Sequence, residues 1–216
     1  MNIMHHNQTE GGKLKIGVLI SGSGTNLQAI IDEILAGRLD IEISLVISSR
    51  PDAFGLERAA RVGIPTLSLS KEIYKDPSVA NELIAAELVR SGVDYVVMAG
   101  YMRMLTEEVL MTFPGRILNL HPALLPSFKG AHAIEDAFSY GVKVTGVTVH
   151  FADATYDTGA IIAQEPVVVY EDDTLDTLEA RIHKTEHELY PRVLQWLVED
   201  RVKLLDDRRV EILPAL

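Results

Sequence analysis

Asn119 and His121 are two positions apart at the end of an apolar stretch and are followed by Pro122. Alternate residues of a β-strand point to the same side, so we expect the two side chains to converge. An amide donor beside an imidazole suits stabilisation of an oxyanion and proton transfer near neutral pH. The same spacing also fits a structural histidine whose ring makes its hydrogen bonds within a turn at the end of the strand. Both interpretations stay open at this point.

A second polar segment, residues 150–159, carries the carboxylates Asp153 and Asp157 and ends at a glycine. A carboxylate brought near His121 would favour the imidazolium and raise the pKa of that histidine. The alternative is an acidic surface turn. The sequence alone does not decide whether the two segments meet.

A glycine-rich turn, residues 22–26, follows the apolar run 14–20. Small residues let the backbone approach a phosphate, and the free N–H groups at a helix start can bind it. The dinucleotide fingerprint is incomplete because Leu27 occupies the place of its third glycine, and no P-loop lysine follows. The turn therefore predicts a phosphomonoester site, or alternatively a tight turn with Thr25 as helix N-cap.

Apolar runs that alternate with helical patterns position these residues. Strands are predicted over 14–20, 41–48, 65–69, 95–99, 116–120, 147–151 and 161–169, and helices over 25–36, 54–62, 79–90, 106–113 and 175–198. Pro191 is expected to kink or break the last helix. The alternation predicts an α/β fold with a mainly parallel sheet, and antiparallel pairing is plausible for the last two strands.

Composition narrows the function classes. The chain has 216 residues, 31 acidic and 20 basic, for a formal charge of −11. Such a charge disfavours nucleic-acid binding, and the lack of cysteine excludes thiolate metal sites and thiol nucleophiles. No apolar run reaches the roughly 18 residues of a membrane span. We expect a cytoplasmic protein with a flexible leader over 1–12 and one domain over 13–216.

Several motifs follow one another between about residues 15 and 196. They are Ile20-Ser-Gly-Ser-Gly-Thr-Asn, Asp52-Ala-Phe-Gly-Leu-Glu-Arg-Ala, Ala99-Gly-Tyr-Met-Arg-Met-Leu, Asn119-Leu-His-Pro, Thr148-Val-His-Phe, Asp157-Thr-Gly and Glu186-His-Glu-Leu-Tyr-Pro. Together they resemble the phosphoribosylglycinamide formyltransferase family. The resemblance implies a Rossmann-like formyltransferase fold with helices on both sheet faces. It also implies transfer of the formyl group of 10-formyltetrahydrofolate to the amine of glycinamide ribonucleotide in purine biosynthesis.

The resemblance also implies roles for individual residues. Asn119 would stabilise the oxyanion, His121 would act as acid, and Asp157 would raise the pKa of His121 and help order a water. The ribonucleotide would contact Gly24, Thr25, Asn26 and Glu186, and the folate would contact Met102, Arg103, Met104, Leu105 and Lys75. No metal is required, the partners are the two small substrates, and a monomer or homodimer is expected.

Three competing interpretations remain. Residues 183–187 match the H-x-x-E-H zinc pattern, but a third ligand in a recognisable context is missing. The resemblance implies instead that Glu186 is a helix carboxylate near the ribonucleotide, which explains the motif better. The related formyltetrahydrofolate deformylase is expected to carry an additional N-terminal domain, and methionyl-tRNA formyltransferase a basic RNA-binding one.

Because both substrates of the favoured reaction are anions, we expect a locally positive cleft.

Overall fold

The computed structural model describes residues 12–215. Nearly all of the predicted leader, residues 1–11, lies outside the described residues. Over residues 12–215 no helix combines the length and the apolar character that crossing a membrane requires.

A seven-stranded sheet forms the centre of the fold. Its strands are β1 Leu14–Ile20, β2 Ile41–Ser48, β3 Thr66–Ser68, β4 Tyr95–Met98, β5 Ile117–His121, β6 Val144–Phe151 and β7 Ile161–Val168, in the order β3-β2-β1-β4-β5-β6-β7. The first five strands are parallel, and β6 and β7 are each antiparallel to the preceding strand. The predicted mainly parallel sheet is confirmed.

Helices cover both faces of the sheet. They are α1 Thr25–Leu35, α2 Phe54–Arg61, α3 Pro77–Arg90, α4 Glu107–Thr112, α5 Ala133–Tyr140 and α6 Leu175–Val198. Strand β1 shows why both faces need a cover, because Val18 points into the core layer that contains α1 and α6, whereas Leu19 points into the layer that contains α3. Such a strand is apolar along its whole length, as its sequence indicated.

The strand order reverses between β1 and β4. From β1 the chain builds outward through β2 and β3, and it then returns to place β4 on the other side of β1. In open α/β sheets, ligands bind beyond the carboxyl ends of the strands at such a switch point. The glycine-rich turn follows β1 at this place.

Some elements differ from the sequence-based expectation. Helix α6 continues unbroken through Pro191, which is buried within it. The neighbouring Tyr190 is fully buried, and its hydroxyl lies 3.0 Å from the Met98 carbonyl oxygen. Tertiary packing thus outweighs the missing backbone hydrogen bond of the proline. The pattern also missed α5 and a C-terminal hairpin of β8 Val202–Leu204 and β9 Val210–Ile212, whose strands are too short to show a period.

Candidate active site

The glycine-rich turn lines a cavity of about 610 Å³ beyond the carboxyl ends of β1 and β4. Gly24, Thr25 and Asn26 all contribute to its wall. Gly24 has a φ of 69°, and a Cβ there would lie 2.7 Å from the Gly55 Cα of helix α2. The position therefore requires glycine. The N-cap of α1 is Gly24, so the alternative that Thr25 caps the helix is wrong.

Glu186 of helix α6 lines the same cavity and is 4% exposed. Its Oε2 accepts hydrogen bonds from Asn26 Nδ2 at 3.0 Å and from His183 Nδ1 at 2.9 Å. The hydrogen bond to Glu186 raises the pKa of His183. The carboxylate thus joins the start of α1 to α6. No group of three metal-ligating side chains occurs within residues 12–215.

Asn119 faces His150 across the β5–β6 pairing. His150 Nδ1 lies 2.8 Å from the Phe151 carbonyl oxygen, which only accepts hydrogen bonds, so Nδ1 carries the proton. Its Nε2 lies within hydrogen-bond distance of Asn119 Nδ2, at 3.2 Å. This contact orients the amide, and an amide nitrogen has a second N–H with which to meet a substrate oxygen.

His121 and Asp157 meet in the same region. His121 Nδ1 lies 3.5 Å from Asp157 Oδ2, and the two residues are 4% and 8% exposed. His121 Nε2 donates to the Phe128 carbonyl at 2.8 Å, while Asp157 Oδ2 accepts from the Gly130 N–H at 2.9 Å. The structure therefore brings Asn119, His121 and Asp157 together, with His150 Nε2 3.7 Å from Asp157 Oδ1.

Burial and neighbouring charges act in opposite directions on the pKa values of His121 and Asp157. Burial lowers the pKa of His121, and this effect outweighs the opposing influence of the Asp157 charge. Asp157 thus acts on the pKa of His121 in the predicted direction, but the net shift is downward because the ring is deeply buried, which the sequence did not show. Burial also opposes ionisation of Asp157, but His150, the Gly130 N–H and His121 outweigh it and hold the pKa of Asp157 below its usual value. At neutral pH the pair is a neutral imidazole beside a carboxylate.

The loop that carries Asp157 is attached closely to β6. A Cβ on Gly159 would lie 1.8 Å from the Phe151 carbonyl oxygen, so only glycine fits where the loop returns to the sheet. The segment after His121 is held by Thr148, whose Oγ1 donates to the Ala123 carbonyl at 2.7 Å and accepts from the Leu125 N–H at 3.1 Å. Both loops are thus anchored to one strand.

The residues predicted to contact folate separate into three groups. Arg103, Met104 and Leu105 line a second, narrow cavity of about 40 Å³ together with Asn119 and Asp157. Met102 lines the larger cavity instead, and its backbone N–H donates to Ser21 Oγ at 2.8 Å.

Lys75 lines neither cavity. Its exposed ammonium pairs with the exposed Glu72 carboxylate at 2.6 Å, at the end of a 3-10 turn whose Tyr74 side chain is buried. Its neighbour Tyr74 contacts the site instead, because the Arg103 guanidinium lies 5.0 Å above the Tyr74 ring. Tyr74, and not Lys75, thus contacts a residue of the narrow cavity, and the contact of Lys75 with folate stays a prediction.

Comparisons with known proteins identify the family. Residues 14–194 match the model of the formyl transferase family. Phosphoribosylglycinamide formyltransferase of Haemophilus influenzae is 39% identical over 193 residues, which cover 89% of this chain and 91% of that protein. The crystal structure of glycinamide ribonucleotide transformylase 1 from Symbiobacterium toebii superimposes with a TM-score of 0.91 at 46% identity, covering 95% of this chain and 96% of that one.

This chain belongs to the phosphoribosylglycinamide formyltransferase family. The resemblance and the formyltransferase fold are both confirmed. The trifunctional purine biosynthetic protein adenosine-3 of Chironomus tentans is 41% identical over 92% of this chain, and the chain spans 15% of the length of that relative.

Two features of this family member were missed in the sequence. His150 lies in an apolar strand, and only the β5–β6 register places it opposite Asn119. The permanent charges of the larger cavity also differ from expectation. Its lining contains Arg50 and three glutamates, so the permanent charges there sum to a negative value and the predicted locally positive cleft is wrong for them. The glutamates are Glu135, Glu179 and Glu186.

Proposed function

We propose that this chain transfers the formyl group of 10-formyltetrahydrofolate to the amine of glycinamide ribonucleotide, giving formylglycinamide ribonucleotide and tetrahydrofolate. The observation that carries this proposal is the convergence of Asn119, His121 and Asp157 beside a cavity lined by the glycine-rich turn. The phosphate of the ribonucleotide would lie at the glycine-rich turn, and the formyl carbon of the folate would lie beside Asn119, His121 and Asp157.

The larger cavity suits the ribonucleotide. The N–H groups at the start of α1 and the positive end of its dipole favour a phosphate at Gly24, Thr25 and Asn26. Glu186 repels a phosphate but accepts hydrogen bonds from hydroxyl groups, so it fits the ribose end of the same molecule. This division explains how an acidic residue belongs in an anion-binding cavity.

Asn119 and His121 fit the two needs of formyl transfer. The substrate amine attacks the formyl carbon, and the carbonyl oxygen becomes an oxyanion that an N–H of Asn119 stabilises. The amine must lose one proton, and the leaving nitrogen of the folate must gain one before its bond to carbon breaks. His121, neutral at rest, takes the first proton at Nδ1, directly or through water, and then acts as the acid that supplies the second.

Asp157 supports the charged form of His121 during this exchange. Its carboxylate is ionised at neutral pH and lies 3.5 Å from His121 Nδ1, where the positive charge develops. The charge on His121 exists only between the two proton transfers. Asp157 therefore stabilises an intermediate more than the resting enzyme, which is the requirement for a catalytic contribution.

The narrow cavity suits the folate only after it widens. Met104 and Leu105 offer apolar contacts to a pteridine ring, and Arg103 offers a cation to a carboxylate. The cavity of about 40 Å³ is far below the roughly 300 Å³ of small-molecule sites. Residues 153–156, which are exposed and form one wall, are the part of the lining that we expect to move outward, whereas Asp157 stays buried beside His121.

The remaining expectations belong to the same proposal. The enzyme acts in the cytoplasm as a monomer or homodimer, on two small molecules and without a metal, nucleic-acid or membrane partner. Residues 13–216 form its catalytic domain, which follows the leader.

Formyl transfer to glycinamide ribonucleotide tests this function. We expect the purified chain to form formylglycinamide ribonucleotide and tetrahydrofolate in equal amounts from 10-formyltetrahydrofolate. We expect little formate when the nucleotide is omitted. Formate released equally fast without the nucleotide would replace this proposal with the deformylase activity.

A further inference from the structure

Helix α2 holds the glycine-rich turn from the side opposite the cavity. The Gly55 N–H donates to the Gly22 carbonyl at 3.1 Å, and Arg58 Nε donates to the Ser23 carbonyl at 2.8 Å. The Gly24 carbonyl accepts from the Gln28 N–H at 2.9 Å within α1. Three successive carbonyl groups of the turn are therefore occupied, two of them by α2.

These bonds set the direction of the N–H groups. In a trans peptide the C=O of one residue and the N–H of the next point in opposite directions. When α2 holds the carbonyls of Gly22 and Ser23, the N–H groups of Ser23 and Gly24 point away from α2. These two residues line the larger cavity. Among the described residues no acceptor takes either N–H.

Arg58 is itself held in place for this contact. Its Nη1 donates to Gln28 Oε1 at 3.0 Å, and its guanidinium lies 4.8 Å above the Phe54 ring. The planar guanidinium thus bridges α2, the turn and the first part of α1. A lysine ammonium is a single point of charge and does not reproduce this fork.

We propose that Arg58 is a positioning residue that orients the turn for the substrate phosphate through its bond to the Ser23 carbonyl. This inference rests on the proposed function, because the turn is the phosphate site there. Arg58 is not part of the cavity lining, so its effect passes through the Ser23–Gly24 peptide.

Steady-state kinetics on Arg58→Ala and Arg58→Lys test the proposal. We expect both substitutions to raise KM for glycinamide ribonucleotide about tenfold, as loss of a hydrogen bond from a charged donor implies. We expect kcat and the folate KM to stay within about twofold of the wild-type values. The substitutions weaken nucleotide binding equally in the ground state and in the transition state, and such a change raises only the nucleotide KM. Melting temperatures of both variants show whether the fold is retained.

Arg61→Ala is the matched control. Arg61 lies on the same helix 5.3 Å from the same Phe54 ring, but its hydrogen bond goes to Glu57 and not to the turn. We expect its nucleotide KM to equal that of the wild type. Equal nucleotide KM values in Arg58→Ala and Arg61→Ala would overturn the proposal. Full recovery of the wild-type value in Arg58→Lys would also overturn it, because long-range charge alone would then be sufficient.

The wild-type protein separates this inference from the function on which it rests. If it makes no formylglycinamide ribonucleotide, the proposed function fails, and Kd for inorganic phosphate is measured by calorimetry on the same variants. We then expect weaker phosphate binding in Arg58→Ala than in the wild type and in Arg61→Ala. Equal Kd values in all three proteins would reject the positioning role by itself.

Discussion

Replacement of Asp157 by Asn removes a charge and keeps the size of the side chain. The lost charge lies 3.5 Å from His121 Nδ1, and both side chains are almost fully buried. At an effective dielectric constant of about 20, two unit charges at that separation interact by about 5 kcal/mol. This value is an upper bound on the loss, because the carboxylate charge is shared between two oxygens and the Phe128 carbonyl still stabilises the ring.

The expected effect is a fall in kcat of about 100- to 1000-fold, within the range that general acid–base groups contribute. The direction in which the profile of kcat/KM against pH shifts follows from the pKa of His121. The pKa of His121 is already below 6.5 because of burial, and loss of the Asp157 charge removes an influence that raises it. In Asp157→Asn the acid limb of the profile of kcat/KM against pH therefore moves to still lower pH.

Asp153→Asn is the matched control for this measurement. Asp153 lies in the same loop, is exposed, and accepts hydrogen bonds from Thr158 and the Thr155 N–H. Asp153 lines the narrow cavity, so we expect any effect of this substitution to fall on the folate KM, with kcat within about twofold of the wild type. If Asp157→Asn matched Asp153→Asn in kcat, or moved the acid limb to higher pH, the reasoning about the imidazolium would be refuted.

Three further changes have defined outcomes. Gly24→Ala places a side chain at a φ of 69° and 2.7 Å from the Gly55 Cα, so we expect a loss of unfolding free energy larger than the roughly 1–2 kcal/mol of left-handed backbone strain, and a raised nucleotide KM. Gly22→Ala, with open space at its Cβ, keeps the wild-type stability in urea titrations. Arg103→Ala is expected to raise the folate KM and Lys75→Ala to leave it unchanged, and a reversed pattern in steady-state assays would support the contact of Lys75 with folate. The folded pKa of His121 lies below the unfolded value of 6.5, so the unfolded state binds the proton first and stability falls as pH drops below 6.5. His121→Asn is expected to flatten that fall between pH 6.5 and 5, and an equally steep fall in the variant would show that other groups cause it.

Much of the fold was predictable because its signals are local. The apolar run of β1 indicated a strand covered on both faces, and Gly37, just after α1, marked where that helix stops. Helix α6 was predicted with the observed bounds, but its continuity through Pro191 was not. That continuity depends on Tyr190 and its neighbours packing against strands far away in the sequence, which local propensity does not contain.

The sequence by itself determined the types of the proposed reacting groups and the placement of Asn119 and His121 at the end of one strand. The spacing of Asn119 and His121 put both side chains on one side of β5, and the ordered motifs identified the family. Only the tertiary structure decided that His150 orients the amide and that burial outweighs Asp157 in the pKa of His121. The physical reason is that strand register and burial are set by contacts between segments distant in the chain, whereas spacing along one strand is local.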